Sequence, residues 1–110
     1  MNVALLHTGL ALGSYWDGRL SDAWSEAEAA LAISAVRGNR TGDPYAAGVL
    51  ARIALHRGDR QAAEAVLVVA EERLAETGPA LGIEMVFWAR AVAEEQAGRA
   101  VPLDLSLIHI

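Results

Sequence analysis

The side chains best suited to chemistry are few, and their spacing matches no known catalytic or metal-binding arrangement. His7, His56 and His109 lie far apart in the chain, whereas metal ligands usually recur at short, fixed spacings. Residues 71–72 and 94–95 are pairs of glutamates, but neighbouring side chains on a helix point about 100° apart. The sequence has no phosphate-binding glycine loop, nucleophile elbow or HExxH motif. It therefore predicts a protein that is not an enzyme and that uses no cofactor or metal ion.

Two short motifs would suit an extracellular protein. Residues 57–59 read Arg-Gly-Asp, an adhesion signal, and residues 39–41 read Asn-Arg-Thr, a glycosylation site. The start of the chain lacks the basic region and cleavage site of a secretory signal. We therefore interpret residues 57–59 as a turn between two helices and residues 39–41 as a loop, and we expect a cytoplasmic protein.

Composition indicates a helical protein of at most one domain. The 110 residues contain no cysteine, which excludes a disulfide framework and thiolate metal sites. Alanine, leucine, glutamate and arginine dominate, and all four are strong helix formers. The net charge of −5 comes without a basic stripe, so we expect no direct binding of nucleic acid by this segment. No apolar run approaches the roughly 20 residues that span a bilayer, so we expect no membrane partner either.

A regular spacing of glycines divides the chain into helices. Glycine recurs every twenty residues, at Gly18, Gly38, Gly58, Gly78 and Gly98. Helices commonly end at a glycine in the left-handed conformation, which has no Cβ to clash. Short turns are expected after Gly18, Gly58 and Gly98, and longer links after the other two. Asp43 should cap a helix that starts at Pro44, and Pro79 should open another. The sequence thus predicts about five helices, at 3–16, 20–36, 44–57, 60–76 and 80–97.

Apolar residues recur at helical spacing in the second pair of helices. Ala47, Leu50, Ala51 and Ala54 share one face, and Ala63, Leu67, Ala70 and Leu74 share a face of the partner helix. Small side chains let two backbones approach closely. A single hairpin of this kind cannot bury its apolar face alone, so the hairpins are expected to stack.

These features resemble a tetratricopeptide-repeat (TPR) array. The family pattern of a small residue, a turn glycine and two later alanines is matched by Ala11, Gly18, Ala23 and Ala30, by Ala51, Gly58, Ala63 and Ala70, and in part by Ala91 and Gly98. The resemblance implies an all-α, TPR-like α-solenoid of stacked antiparallel hairpins. The period departs from the family, at forty residues against about thirty-four. Stretched repeats rich in alanine, leucine and arginine resemble the sensor region of large ATP-binding LuxR-type bacterial transcriptional regulators.

The resemblance also indicates where a ligand would bind. In this family the first helix of each hairpin lines a concave groove, and register assigns to that groove Leu12, Tyr15, Trp16, Arg52, Leu55, His56, Trp88, Val92 and Glu95. The aromatic, arginine and histidine members, namely Tyr15, Trp16, Arg52, His56 and Trp88, are the candidate binding residues. In the alternative interpretation, Trp16 and Trp88 pack between hairpins. Arg90 and Glu94 depart from the repeat pattern; either they form an ion pair, or the helix is rotated from this register.

The resemblance covers residues 1–99 as two full hairpins and the first helix of a third. Residues 100–110 would begin a truncated repeat, and Leu105–Ile110 resembles translated sequencing-adapter sequence, so His109 receives no role. We expect a fragment of a scaffold that binds a protein or peptide, or a small effector. The alternative function is self-association through the helix at 80–97, which is apolar around much of its circumference.

Overall fold

The computed structural model describes residues 3–38, 40, 42–78 and 82–98. This part of the chain is all-helical. It consists of α1 (Val3–Trp16), α2 (Leu20–Arg37), α3 (Asp43–His56), α4 (Arg60–Thr77) and α5 (Ile83–Gln96). The predicted helices at 3–16, 20–36, 44–57 and 60–76 are confirmed to within one residue at each end. The predicted helix at 80–97 is confirmed as a helix with a later start. Pro79 and residues 100–110, to which the sequence also assigned roles, lie outside the described residues.

The glycines that recur every twenty residues end the helices as predicted. All five have positive φ, between 76° and 81°, but Gly78, with a ψ of −168°, is outside the left-handed helical conformation. The turns after α1 and α3 share the same hydrogen bond: the backbone N–H of Arg19 donates to the Ser14 carbonyl, and that of Asp59 to the Ala54 carbonyl, each at 2.8 Å. This bond, from the backbone N–H of a residue to the carbonyl five positions earlier, is the one that closes a Schellman turn. The forty-residue repeat is therefore reproduced in the hydrogen bonding of the two hairpin turns.

The Arg-Gly-Asp tripeptide is part of the second hairpin turn. Gly58 has a φ of 78°, and the Asp59 carboxylate accepts a hydrogen bond from the Ala62 backbone N–H at the start of α4. The Arg57 guanidinium lies over the Trp24 ring of α2, at 5.6 Å from the ring centroid. A capping aspartate and a cation–π contact explain two of the three residues without an adhesion role. The prediction of a hairpin turn at this place is confirmed.

Helix α3 lies at the centre and contacts all four other helices. One buried cluster joins it to α1 and α2 through Ala46, Val49, Leu50 and Ile53. The other joins it to α4 and α5 through Ala47, Ala51, Ala54 and Leu55. The four residues predicted to share one face are all buried, but Leu50 belongs to the first cluster and the three alanines to the second. The sequence pattern suggested one buried face, whereas α3 has two.

The alanines of the repeat pattern occupy the tightest contacts. Ala11, Ala23, Ala51 and Ala63 are each 0% exposed. Helix α1 contacts α2 and α3, and α3 contacts α4 and α5, so these alanines lie between neighbouring backbones. Ala91 of the third unit is only half-buried, whereas Ala89 and Ala93 on the same helix are buried.

Gly82 sets the start of α5. It has a left-handed φ of 87°, and a Cβ placed on it would lie 2.7 Å from ring atoms of Tyr45. A residue with positive φ cannot continue a right-handed helix, and no side chain fits against the ring. The helix α5 therefore begins at Ile83, and the predicted start at residue 80 lies outside the described residues.

Asp43 does not cap α3 as predicted. The N-cap position is Gly42, and Asp43 is the first residue of the helix. Its carboxylate, in a residue 8% exposed, accepts hydrogen bonds from Ser34 Oγ at 2.6 Å, Arg40 Nε at 2.7 Å and Arg73 Nη1 at 3.1 Å. Because Ser34 belongs to α2 and Arg73 to α4, this carboxylate joins three helices.

A second ion cluster joins α4 to α5. Arg90 donates to Glu71 Oε1 at 2.7 Å, to Glu64 Oε2 at 2.6 Å and to Glu94 Oε1 at 3.4 Å. The hydrogen bonds that Arg90 donates to Glu71 and then to Glu64 raise the pKa of Arg90 above its usual range. Of the two alternatives for Arg90 and Glu94, the ion pair is the one that the structure contains, and two carboxylates of α4 join it.

Within the described residues, no helix combines the length and apolar character needed to cross a bilayer.

We expect Asp43→Ala to lower the free energy of unfolding by about 1–3 kcal/mol, because the charged groups drawn to this carboxylate lose their acceptor. The loss of stability stays in this range because the side chains of Arg40 and Arg73 are 34% and 43% exposed, so water can hydrate them once the carboxylate is removed. Asp17→Ala is the matched control, since Asp17 is 67% exposed beside Arg19, and should change stability by less than about 0.5 kcal/mol. Urea unfolding of both variants measures this. Equal losses would contradict a joining role for Asp43.

A pair of glycine substitutions tests the close approach of α3 and α5. A Cβ on Gly48 would lie 2.5 Å from the Met85 Cβ and 3.0 Å from its backbone carbon, whereas one on Gly13 would meet nothing within 4 Å. Gly48→Ala should therefore destabilise the protein by about 1–3 kcal/mol through overpacking. Gly13→Ala should stabilise it by about 0.5–1 kcal/mol through helix propensity. Midpoints of urea unfolding that move in the same direction for both would show that the backbones are not in this contact.

Candidate functional site

Four of the five candidate binding residues lie together at the carboxyl-terminal ends of α1 and α3. We call Tyr15, Trp16, Arg52 and His56 the aromatic patch. Helices α1 and α3 are neighbours, and both end at a hairpin turn, so the last turns of the two helices lie side by side. Register in the repeat pairs position 12 with 52 and position 16 with 56. The fold thus places residues forty apart in sequence on one surface.

Tyr15 is the fixed centre of the aromatic patch. It is 9% exposed and belongs to the cluster between α1, α2 and α3. Its hydroxyl lies 3.5 Å from His56 Nε2, and the Arg52 guanidinium carbon lies 6.0 Å from its ring centroid. A buried ring with contacts to an imidazole and a guanidinium holds two hydrogen-bonding side chains at defined places.

Trp16 presents the apolar part of the aromatic patch to solvent. Its side chain is 73% exposed, and its ring meets the Tyr15 ring edge-on, with centroids 5.4 Å apart and planes inclined by 66°. Trp16 is therefore not buried between hairpins, which was the alternative interpretation of this residue. The indole is available to a partner while its edge rests on a rigid ring.

Two further groove positions, Trp88 and Leu55, are not part of the aromatic patch as defined. Trp88 is on α5 and is 55% exposed. In the described residues α5 contacts α3 but not α1, so Trp88 and Trp16 are on helices separated by α3. Leu55, which register also assigned to the groove, is 4% exposed and lies in the cluster with α4 and α5. Leu55 therefore cannot contact a ligand in this conformation.

The aromatic patch is suited to binding rather than to bond chemistry. It offers an exposed ring, a guanidinium and an imidazole, which together can contact an apolar side chain and donate hydrogen bonds to a carboxylate or carbonyl. The described part of the chain holds no group of three or more His, Asp or Glu side chains arranged for a metal ion. His7, which lies near the start of α1, pairs with Glu26 of α2.

Sequence reasoning missed a groove between α2 and α4. These two helices do not contact each other in the described residues, and a cavity of about 900 Å³ lies between them over the first turns of α3. Its walls are mostly apolar, and one end is charged; the lining includes Leu31, Val66, Val69, Leu74, Arg40 and Arg73. Valines at exposed positions of α4 were a signal in the sequence, but only the packing of α3 under both helices creates the gap.

No family model matches this chain, and no curated protein or solved structure matches it either. The assignment of a function therefore depends on the residues and geometry described above.

Proposed function

We propose that this chain is a binding scaffold, built as a TPR-like stack of helical hairpins, whose ligand contacts the aromatic patch. The order of helix contacts supports the stack. The first helix of each hairpin touches the first helix of the next, as in α1 with α3 and α3 with α5, and each second helix touches the following first helix. Tandem hairpins that meet only their neighbours form a repeat array.

The observation that carries the proposal is the exposure of Trp16. The core of this protein is made mainly of alanine, and its large aromatic rings are few. A tryptophan that is 73% exposed contributes little to such a core. Exposed tryptophan beside arginine is the composition enriched where binding energy concentrates.

The ligand that suits the aromatic patch is a peptide or protein segment with an apolar side chain next to a carboxylate. Trp16 would contact the apolar side chain, and Arg52 and His56 would donate to the carboxylate. The groove between α2 and α4 could take a small apolar effector. A cytoplasmic location and a place in the sensor region of a LuxR-type bacterial regulator are proposed on the sequence resemblance.

A scaffold rather than an enzyme is supported by how the polar clusters are used. The carboxylates of Asp43, Glu64 and Glu71 are each bound by arginines that link helices. Ion pairs of this kind fasten neighbouring helices to one another, which is a structural use of these carboxylates.

Peptide selection tests this function. We expect panning of a random peptide display library against the chain to recover sequences with an aromatic or aliphatic residue beside Asp or Glu. Trp16→Ala should weaken binding of the selected peptides by at least tenfold, since such contact residues contribute about 1.4 kcal/mol or more. Fluorescence anisotropy of a labelled peptide measures this.

Val36→Ala is the matched control, because Val36 is an 86% exposed apolar residue on α2, and it should leave the affinity unchanged. Arg52→Gln should reduce binding of the acidic peptides and spare variants in which the acid is replaced by its amide. Recovery of no peptide, or equal affinity for wild type and Trp16→Ala, would contradict binding at the aromatic patch.

A second function, self-association, is favoured by the surface of α5. Phe87 and Trp88 are 59% and 55% exposed and adjacent. Contiguous exposed apolar residues mark sites of protein contact. A rise in mass with protein concentration, measured by sedimentation, is the expected result, and a monomer at all concentrations would contradict it.

A further inference from the structure

Helix α3 shows what covers each side of a first helix in this repeat. Its rear face, which we define as Ala46, Val49, Leu50 and Ile53, packs against the preceding helices α1 and α2. Its front face, defined as Ala47, Ala51, Ala54 and Leu55, packs against the following helices α4 and α5. A shift of forty residues transfers both definitions to the other first helices, since the turn glycines repeat with that period.

Helix α5 has a covered rear face and an open front face. The rear positions include Val86, Ala89 and Ala93, which are 0%, 0% and 8% exposed in the cluster with α3 and α4. The front positions are Phe87, Ala91, Glu94 and Glu95. Phe87 is 59% exposed, and Trp88, which lies beside this face rather than on it, is 55% exposed, whereas Ala91 and Glu94 are half-buried. The half of α5 that in α3 meets a following helix thus presents the Phe87 ring to solvent at its start and carboxylates at its end.

Helix α1 is the reverse case. Its front positions include Ala11, Ser14 and Tyr15, which are 0%, 7% and 9% exposed. Its rear positions are Leu6 and Leu10, which are 48% and 49% exposed, together with Gly9 and Gly13. A Cβ on either glycine would meet nothing within 4 Å. In α3 the rear face is covered by the preceding helices. The equivalent face of α1 is therefore exposed.

The two open faces are the two halves of one repeating contact. The rear-on-front contact occurs twice within the chain, where α3 meets α1 and where α5 meets α3. We propose that the open rear face of α1 in one copy packs on the open front face of α5 in a second copy, so that the α1–α3–α5 layer continues from copy to copy. This inference rests on the self-association proposed above and specifies its geometry.

Shape and charge support a second copy as the occupant. Leu6 and Leu10 form a ridge one turn apart, and Gly9 and Gly13 form a groove beside it, which matches the ridges-into-grooves packing of helices. The groove admits bulky rings such as Phe87. Between Val3 and Trp16, α1 carries no Asp, Glu, Lys or Arg, so it brings no like charge to the glutamates near the end of α5.

A contact between two different surfaces makes a specific prediction about assembly. Such a heterologous contact does not end at a dimer, because the assembly always keeps one free rear face at one end and one free front face at the other. Sedimentation velocity on the full chain should show a mean mass that keeps rising with concentration past the dimer. A contact of α5 with α5 would instead stop at a dimer.

Mixing two charged variants separates these arrangements. Leu10→Glu places a charge on the rear face of α1, and Phe87→Glu places one on the front face of α5. Each variant alone should therefore be a monomer. Mixed at equal amounts they should form a heterodimer and no larger species, since the first keeps an intact front face and the second an intact rear face. Leu6→Glu should behave as Leu10→Glu does. Val36→Glu is the control and should assemble like the wild type, because Val36 is an 86% exposed residue of α2 that belongs to neither face.

Each other outcome overturns the proposal. If Phe87→Glu is monomeric while Leu10→Glu still dimerises, α5 pairs with itself. The converse result would assign the contact to α1 alone. A wild-type monomer at high concentration would contradict self-association altogether, while peptide binding at the aromatic patch would stand. Circular dichroism checks that each variant folds, and Trp88→Glu replaces Phe87→Glu if the latter does not.

Discussion

The burial of α3 among four helices is the constraint on which the other features depend. A helix can contact four neighbours closely only when its side chains are small, and α3 provides Ala46, Ala47, Gly48, Ala51 and Ala54 for this purpose. The approach of α5 to Gly48 leaves no room for a methyl group. Larger residues such as Val49 and Ile53 fill the remaining spaces and are fully buried. The positions of the hairpins, and hence of every surface residue, follow from this packing.

Because alanine contacts bury little area per residue, polar links between helices have a larger part in fixing how the helices of this protein are oriented. The Asp43 cluster joins α2, α3 and α4, and the Arg90 cluster joins α4 and α5. Both are partly exposed, so they set the orientation of helices more than they add to the total free energy. The large rings are then left for the surface, which explains how a chain with an alanine core exposes Trp16, Phe87 and Trp88.

The sequence predicted the features that depend on local chemistry. Glycine at twenty-residue intervals marked the helix ends because left-handed backbone favours glycine, and the buried alanines at Ala23, Ala51 and Ala63 followed from the repeat register. The role of Asp43 was missed because its partner Arg73 is thirty residues away, and a cap is the more common use of aspartate at that place. The two faces of α3 and the groove between α2 and α4 depend on which helices are neighbours. For the candidate site, register correctly brought Tyr15 and His56 together, because their helices end at equivalent turns.

The separation of α2 from α4 has a mechanical consequence. Helices α1, α3 and α5 form a continuous layer, whereas α2 and α4, which both pack against α3, leave a gap between them. Compression of the layer meets packed side chains, whereas flexing that widens the gap would stretch the hydrogen bonds that Asp43 accepts from Ser34 of α2 and Arg73 of α4. We therefore expect the described part of the chain to bend more easily about the α3 axis than across the layer.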